Sequence, residues 1–201
     1  MNAHLDPRTL TIIKEARQRF VTDGYAGTRI EPIAREASVS TATLYMLFDS
    51  KAALFEAVIR DTAREFDRKL DLLKVSSPPS AEMLSNMVIG YTEFLADPFV
   101  RKMFRLVISE RPRFGELSAQ FFDEGRGNIA HILIKTFEAL NEQGVTRIDN
   151  PGWAASQLLG MVEHPALLMP LAMGKDPVLS RSARSIAEDA METFWARYRV
   201  K

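Results

Sequence analysis

Ser40, Thr41, Thr43 and Tyr45 crowd four hydroxyls into six positions, with Thr28 and Arg29 upstream and Lys51 downstream. Hydroxyls can donate to phosphate oxygens and base edges, a threonine methyl can pack on a thymine methyl, and an arginine can pair with guanine through two hydrogen bonds. The chemistry on offer is recognition of a nucleic acid rather than the making or breaking of bonds.

Short helices must position these groups. Thr28 followed by Glu31 has the spacing of a capping box, which predicts a helix start at that point. Ile30, Ile33, Ala34 and Ala37 then repeat at helical spacing and supply one apolar face. Ala37-Ser38-Val39-Ser40 reads as a turn, and Ser40 suits the cap of a second helix over about 41–47. In a helix-turn-helix the first residues of the second helix face base edges while the first helix crosses the backbone. Hydroxyls would equally serve as caps in any all-helical protein, and their content alone does not separate the two readings.

A wider set of residues does separate them. Phe20, Gly24-Tyr25, Thr28, Ile33-Ala34, Val39-Ser40, Thr43-Leu44-Tyr45, Phe48, Ser50-Lys51 and Leu54-Phe55 stand at fixed offsets between Ile12 and Ile59. In this the chain resembles the N-terminal DNA-binding domain of the TetR family of transcriptional regulators. The resemblance implies that Thr28 and Lys51 hold phosphates at helix N-termini, where free N–H groups and the helix dipole favour anions. It implies a DNA-facing set of Thr28, Arg29, Ser40, Thr41, Ala42, Thr43, Tyr45, Met46 and Lys51. It also implies double-stranded operator DNA as a partner, a homodimer, and a repressor rather than an activator.

Three departures from the family pattern stand out. Ser38 replaces a glycine that supplies a left-handed turn, so it must accept a strain of roughly 1–2 kcal/mol or reshape the turn. Pro32 removes an early helix N–H and disfavours helical angles at Glu31, loosening the cap. Met46 and Leu47 replace residues that are more often basic or aromatic, which makes this reading head more apolar. Charge does not compensate, because residues 1–60 hold eight Lys/Arg against seven Asp/Glu, a balance of +1 rather than a basic stripe. Binding would depend on a few placed contacts and on a site doubled by dimerisation.

The 201 residues, 46% hydrophobic and formally neutral, suffice for one or two domains with a sizeable core. The absence of cysteine excludes disulfides and thiolate metal sites. No cationic apolar leader and no membrane-length apolar run is present, so a cytoplasmic protein with no membrane partner is expected. Helical patterning runs from Asp6-Pro7 to near Gly24, from Lys51 to Lys74, Ala81 to Ala96, Pro98 to Glu110, Phe114 to Gln143, Pro151 to Leu168 and Leu179 to Tyr198. Gly125-Arg126-Gly127 is a candidate kink. Val75-Ser-Ser-Pro-Pro-Ser80 is the clearest break. The expected class is all-α: a three-helix helix-turn-helix domain over 1–50, a connecting helix over 51–74, and a helical effector-binding and dimerisation domain over 75–201.

Met83, Met87, Tyr91, Phe94, Phe104, Phe121 and Phe122 give the second domain a Met- and Phe-rich interior, either packed core or an adaptable pocket. If a cavity exists, the resemblance implies a small apolar or aromatic effector, with His131, Trp153 and His164 as polar anchors beside Tyr91. Two apolar stripes, Ala154, Leu158 and Val162 on one helix and Ile186, Ala190, Phe194 and Trp195 on the last, either close the core or form a dimer interface, and the resemblance favours the interface. No cofactor or metal is expected. An enzyme is the remotest rival, since no metalloprotease, nucleophile-elbow or P-loop motif is present and only His4, His131 and His164 occur. A helical adaptor without DNA binding is the other alternative.

Overall fold

The computed structural model describes residues 6–72, 79–173 and 181–200. His4, the Val75–Pro78 part of the break, the Leu179 helix start and the last residues assigned to the connecting helix lie outside the described residues. The helices are α1 (Pro7–Gly27), α2 (Ile30–Glu36), α3 (Thr41–Leu47), α4 (Lys51–Asp71), α5 (Ala81–Ala96), α6 (Pro98–Ser109), α7 (Gly115–Glu142), α8 (Pro151–Glu163), α9 (Met169–Ala172) and α10 (Ala183–Tyr198). A π-helical turn, His164–Leu168, joins α8 to α9. Among the described residues there is no strand, only an isolated bridge between Thr146 and Arg199. None of the described helices is long and apolar enough to cross a membrane.

Short polar side chains start most of these helices by accepting a first-turn N–H. Asp6 accepts from Arg8, Ser40 from Thr43, Ser50 from Ala53, Ser80 from Met83, Asn150 from Trp153 and Ser182 from Ser185, at 2.9–3.2 Å. Gly24 takes φ 70°, a left-handed value open to glycine, and bends the chain at the end of α1. The Gly125–Gly127 segment does not interrupt α7, whose helix runs through it.

The described chain divides into two compact units, residues 1–66 with 103–121, and residues 67–102 with 122–201. In the first, Ile12, Ala16 and Phe20 of α1, Ile33 of α2, Leu44 of α3 and Leu54, Phe55 and Val58 of α4 are almost wholly buried. Each of these side chains larger than alanine contributes about 1.5–3 kcal/mol by leaving water. Phe55 meets Phe20 and Tyr25 edge-on, both at 5.1 Å, and Phe114 at 4.7 Å. Arg17 clamps α1 to α4 through Asp61 and Glu65, and Arg19 ties α1 to α2 through Glu36, with Nε at 3.0 Å.

In the second unit α5 packs along α10, with α8 beside both. Leu84, Leu95, Leu133, Phe137, Leu158 and Phe194 form its centre. Buried Thr92 and Thr136 spend their hydroxyls on carbonyls four residues back, Val88 and Ile132, so neither leaves an open polar group. Asn141 organises the turn after α7, donating to the Ile148 carbonyl and accepting from Thr146 Oγ1 and Ile148 N.

Candidate nucleic-acid interface and effector unit

The capping box does not form. Arg29, without a side-chain cap bond, precedes α2, so the helix starts one residue later than the box requires and its third position is Pro32, which has no N–H. Thr28 turns the other way: it is buried, and its hydroxyl donates to the Gly24 carbonyl at 2.6 Å, closing α1. Arg29 is left exposed beside it.

The turn between α2 and α3 keeps its left-handed residue, and Ser38 occupies it at φ 56°. The strain is accepted rather than avoided, because Ala37 and Val39 still donate to Ile33 and Ala34 at 2.9 Å and hold the turn closed. Ser40 then caps α3, accepting from Thr43 N at 3.0 Å, with its oxygen 2.8 Å from Thr43 Oγ1. Leu44 is the single buried residue of α3. It anchors the helix and turns the opposite face outward, where Thr41, Ala42, Tyr45, Met46 and Leu47 are exposed, Met46 to 82%. Burying such a side chain is favourable, so its exposure on an anchored helix marks a surface available to a partner.

Lys51 opens α4 beside this surface. Its ammonium donates to the Ala26 carbonyl at 3.2 Å and lies 4.7 Å from the centre of the Tyr25 ring. Partial burial, and then the like charge of Arg113, hold it below the usual lysine value, against a smaller pull from Glu110. Arg113, in the turn between α6 and α7, sits 4.8 Å from the same ring. Sequence spacing does not disclose this neighbour, because it enters from far along the chain.

The proposed effector residues do not share one place. Met87 and Tyr91 line an apolar pocket in the second unit together with Val88, Ile129, Leu133, Leu158, Leu159 and Val162, and its free volume is only about 10 Å³. That is room for one water at most. Met83, Phe94 and Phe122 are half-buried in the same unit, off this lining. Phe104 and Phe121 belong to the first unit, where Phe104 stacks on Phe66 at 6.4 Å and Phe121 meets it edge-on at 5.9 Å. His131, Trp153 and His164 are exposed, so they do not reach into that interior as polar anchors; each sits on an outward face of its helix. The polar group at the pocket edge is Tyr91, which donates to Glu163 at 2.9 Å, while Arg126 Nε lies 3.2 Å from the same carboxylate. Burial, then the Glu163 charge and hydrogen bond, push the Tyr91 hydroxyl well above its ordinary value, against a smaller opposing effect of Arg126.

The two apolar stripes are mostly consumed within the chain. Ala154, Leu158, Val162, Ile186, Ala190 and Phe194 are all buried, leaving Trp195 as the half-buried member. The free edge of α8 and α10 lies one helical step away, where Gln157, Gly160, Met161, His164, Thr193, Arg197 and Tyr198 help to line a cleft of about 540 Å³. Among the described residues no cluster of three or more metal-ligating side chains is present.

Comparison with known proteins agrees with this architecture. Residues 12–58 match the family of bacterial regulatory proteins called tetR, and residues 82–200 match the AefR-like transcriptional repressor C-terminal domain. The HTH-type transcriptional regulator YhgD of Bacillus subtilis (strain 168) is 27% identical over 116 residues, 56% of this chain and 58% of that protein. The match thus spans less than two thirds of that relative's length. A structure from Mesorhizobium loti MAFF303099, described as a TetR-family transcriptional regulator, is 26% identical with a TM-score of 0.81, covering 99% of this chain and all of that one. The flavonoid-responsive regulator FrrA shares 24% identity with a TM-score of 0.71, over 96% of this chain and 98% of its own. A TetR regulator from Agrobacterium tumefaciens shares 21% with a TM-score of 0.77, over 98% and 96%. The last two speak to the fold alone. With its C-terminal half and its helix-turn-helix both matched by the corresponding models, the chain belongs to the TetR family of transcriptional regulators.

Proposed function

We propose that the protein is a dimeric transcriptional repressor that binds a palindromic operator through α3 and releases it when a small apolar or aromatic effector enters the second unit. The observation that carries the DNA-binding part is the exposed α3 face: Thr41, Ala42, Tyr45 and Met46 project from a helix pinned by Leu44, with Lys51 and Arg29 beside them. An anchored helix whose N-terminal turn faces outward is the geometry for major-groove reading. The apolar character of Met46 and Leu47 favours contact with thymine methyls over a dense set of polar base contacts.

The effector reading is supported by the Met87 and Tyr91 pocket. Pockets for small molecules usually measure about 300–1,000 Å³, far more than the space present, so an effector must displace α5, α7 or α8 to enter. A ligand that binds only the expanded form shifts the population toward it. Since α4 and α7 each pass from one unit into the other, after Phe66 and Phe121, the expansion would reach the reading head through continuous helices. Operator and effector would then weaken one another by the same factor. The name of FrrA makes flavonoids a sensible first set of compounds to screen.

The operational division in this proposal is a DNA-binding domain over 1–50, a connecting helix from 51, and an effector and dimerisation domain from 75 onward, in a cytoplasmic protein. A mobility-shift assay with the upstream intergenic DNA tests it. Wild type should give a shift that survives nonspecific competitor, and Tyr45→Ala should lose it while melting normally, since Tyr45 is 48% exposed. Equal binding by both would remove α3 as the reading element.

A further inference from the structure

We propose that Arg113, outside the helix-turn-helix, is a further DNA-phosphate ligand that acts together with Lys51, both held against one aromatic ring. This rests on the DNA-binding function proposed above and adds to it a residue that lies between α6 and α7.

Tyr25 is 8% exposed and receives two cations on its ring, Lys51 Nζ at 4.7 Å and Arg113 Cζ at 4.8 Å. A cation over an aromatic face is attracted by the negative face of the ring. Two cations on one ring also repel each other, and after burial this repulsion helps to hold Lys51 below the usual lysine value. Even with Glu110, whose charge reaches Lys51, the group is one anion short of neutral. Among the described residues neither Lys51 nor Arg113 has an ion pair, and Glu110 is bridged to neither.

Other arginines of the same unit show the contrast. Arg17 is spent on Asp61 and Glu65, and Arg19 on Glu36, so both hold helices together. Arg113 is exposed and has no such duty. Its position is set by Tyr25, which precedes Thr28 and Arg29 by a few residues, and by Lys51 at the start of α4. A phosphate drawn to that helix start by free N–H groups would meet an ammonium as a point charge and a guanidinium able to give two parallel hydrogen bonds. Such a contact carries no base information. It adds affinity uniformly and adds to the release of counterions.

The test is fluorescence anisotropy of a short duplex carrying the upstream intergenic sequence, titrated over a range of KCl concentrations with the full-length protein. Arg113→Gln should weaken binding several-fold at low salt and flatten the plot of log affinity against log salt by about one unit for each phosphate that is no longer neutralised. Arg113→Lys should recover most of the slope. Arg111→Gln, an exposed arginine two residues away, should match wild type. An Arg113→Gln protein with wild-type affinity and slope overturns the proposal, as does one that loses affinity at unchanged slope, which would mark a structural role. Wild type that binds no duplex overturns the DNA-binding function itself, which separates that failure from this one.

Discussion

Tyr91 on α5 donates its hydroxyl to Glu163, the last residue of α8, across 2.9 Å. The bond ties two walls of the apolar pocket together at its polar edge, and Arg126 of α7 holds the same carboxylate at 3.2 Å. Three helices are thus joined through one carboxylate. Under the effector function proposed above, a ligand that offers a hydroxyl to Glu163 would compete with Tyr91 and loosen α5 from α8.

Its pH dependence follows from the raised Tyr91 hydroxyl. The ordinary value is 10.0 and the folded value lies well above it, chiefly through burial. Between the two the unfolded chain has lost the proton that the folded chain keeps, so stability falls as pH rises through that window. The contribution is intact below about pH 10. Tyr91→Phe should therefore lose stability less steeply than wild type on alkaline titration above pH 10, while losing about 1.5–3 kcal/mol of charge-assisted hydrogen-bond stability at pH 7. Parallel curves for the two proteins above pH 10 would show that Tyr91 does not titrate in this way.

The helical architecture is legible in the sequence because caps and apolar spacing are local: Asp6, Ser40, Ser80 and Asn150 each start a helix by a bond to a residue two or three positions on. Thr28 misleads for an equally local reason, since the shift of the helix start by one residue puts Pro32 where an N–H was needed. The stripes on α8 and α10 are apolar at the right spacing whether they meet their own chain or a second copy. Spacing does not say which, and the packing of α5 against α10 decides it. Tyr91 with Glu163, and Tyr25 with Arg113, pair across long stretches of chain and leave no pattern to read.

Ser38 stores strain that can be removed. A non-glycine residue in the left-handed region costs roughly 1–2 kcal/mol, and glycine gives back part of that through its looser unfolded chain. Ser38→Gly should raise stability by about 0.5–1 kcal/mol in urea denaturation, with an unchanged m-value. Ser38→Val should lower it by a larger amount, because a β-branched side chain tolerates φ 56° less well. A neutral or destabilising glycine would mean that the serine hydroxyl compensates for its own backbone.

Gly160 offers the cleanest test of the second copy. It lines the cleft between α8 and α10, and a Cβ placed on it meets nothing within 4 Å. A large side chain at this point therefore has open space in the isolated chain, and replacing a helical glycine adds up to about 1 kcal/mol of helix propensity. If a second copy seats its own α8 and α10 against this face, the same side chain stands in its way. Gly160→Arg should fold with wild-type or higher thermal stability at matched monomer content, elute as a monomer in size-exclusion chromatography with light scattering, and lose operator binding because two half-sites are no longer held together. A Gly160→Arg protein that remains dimeric and binds DNA normally would move the interface to another face. Gly160→Ala, too small to obstruct, should keep the dimer, and its behaviour distinguishes loss of the interface from loss of helix flexibility.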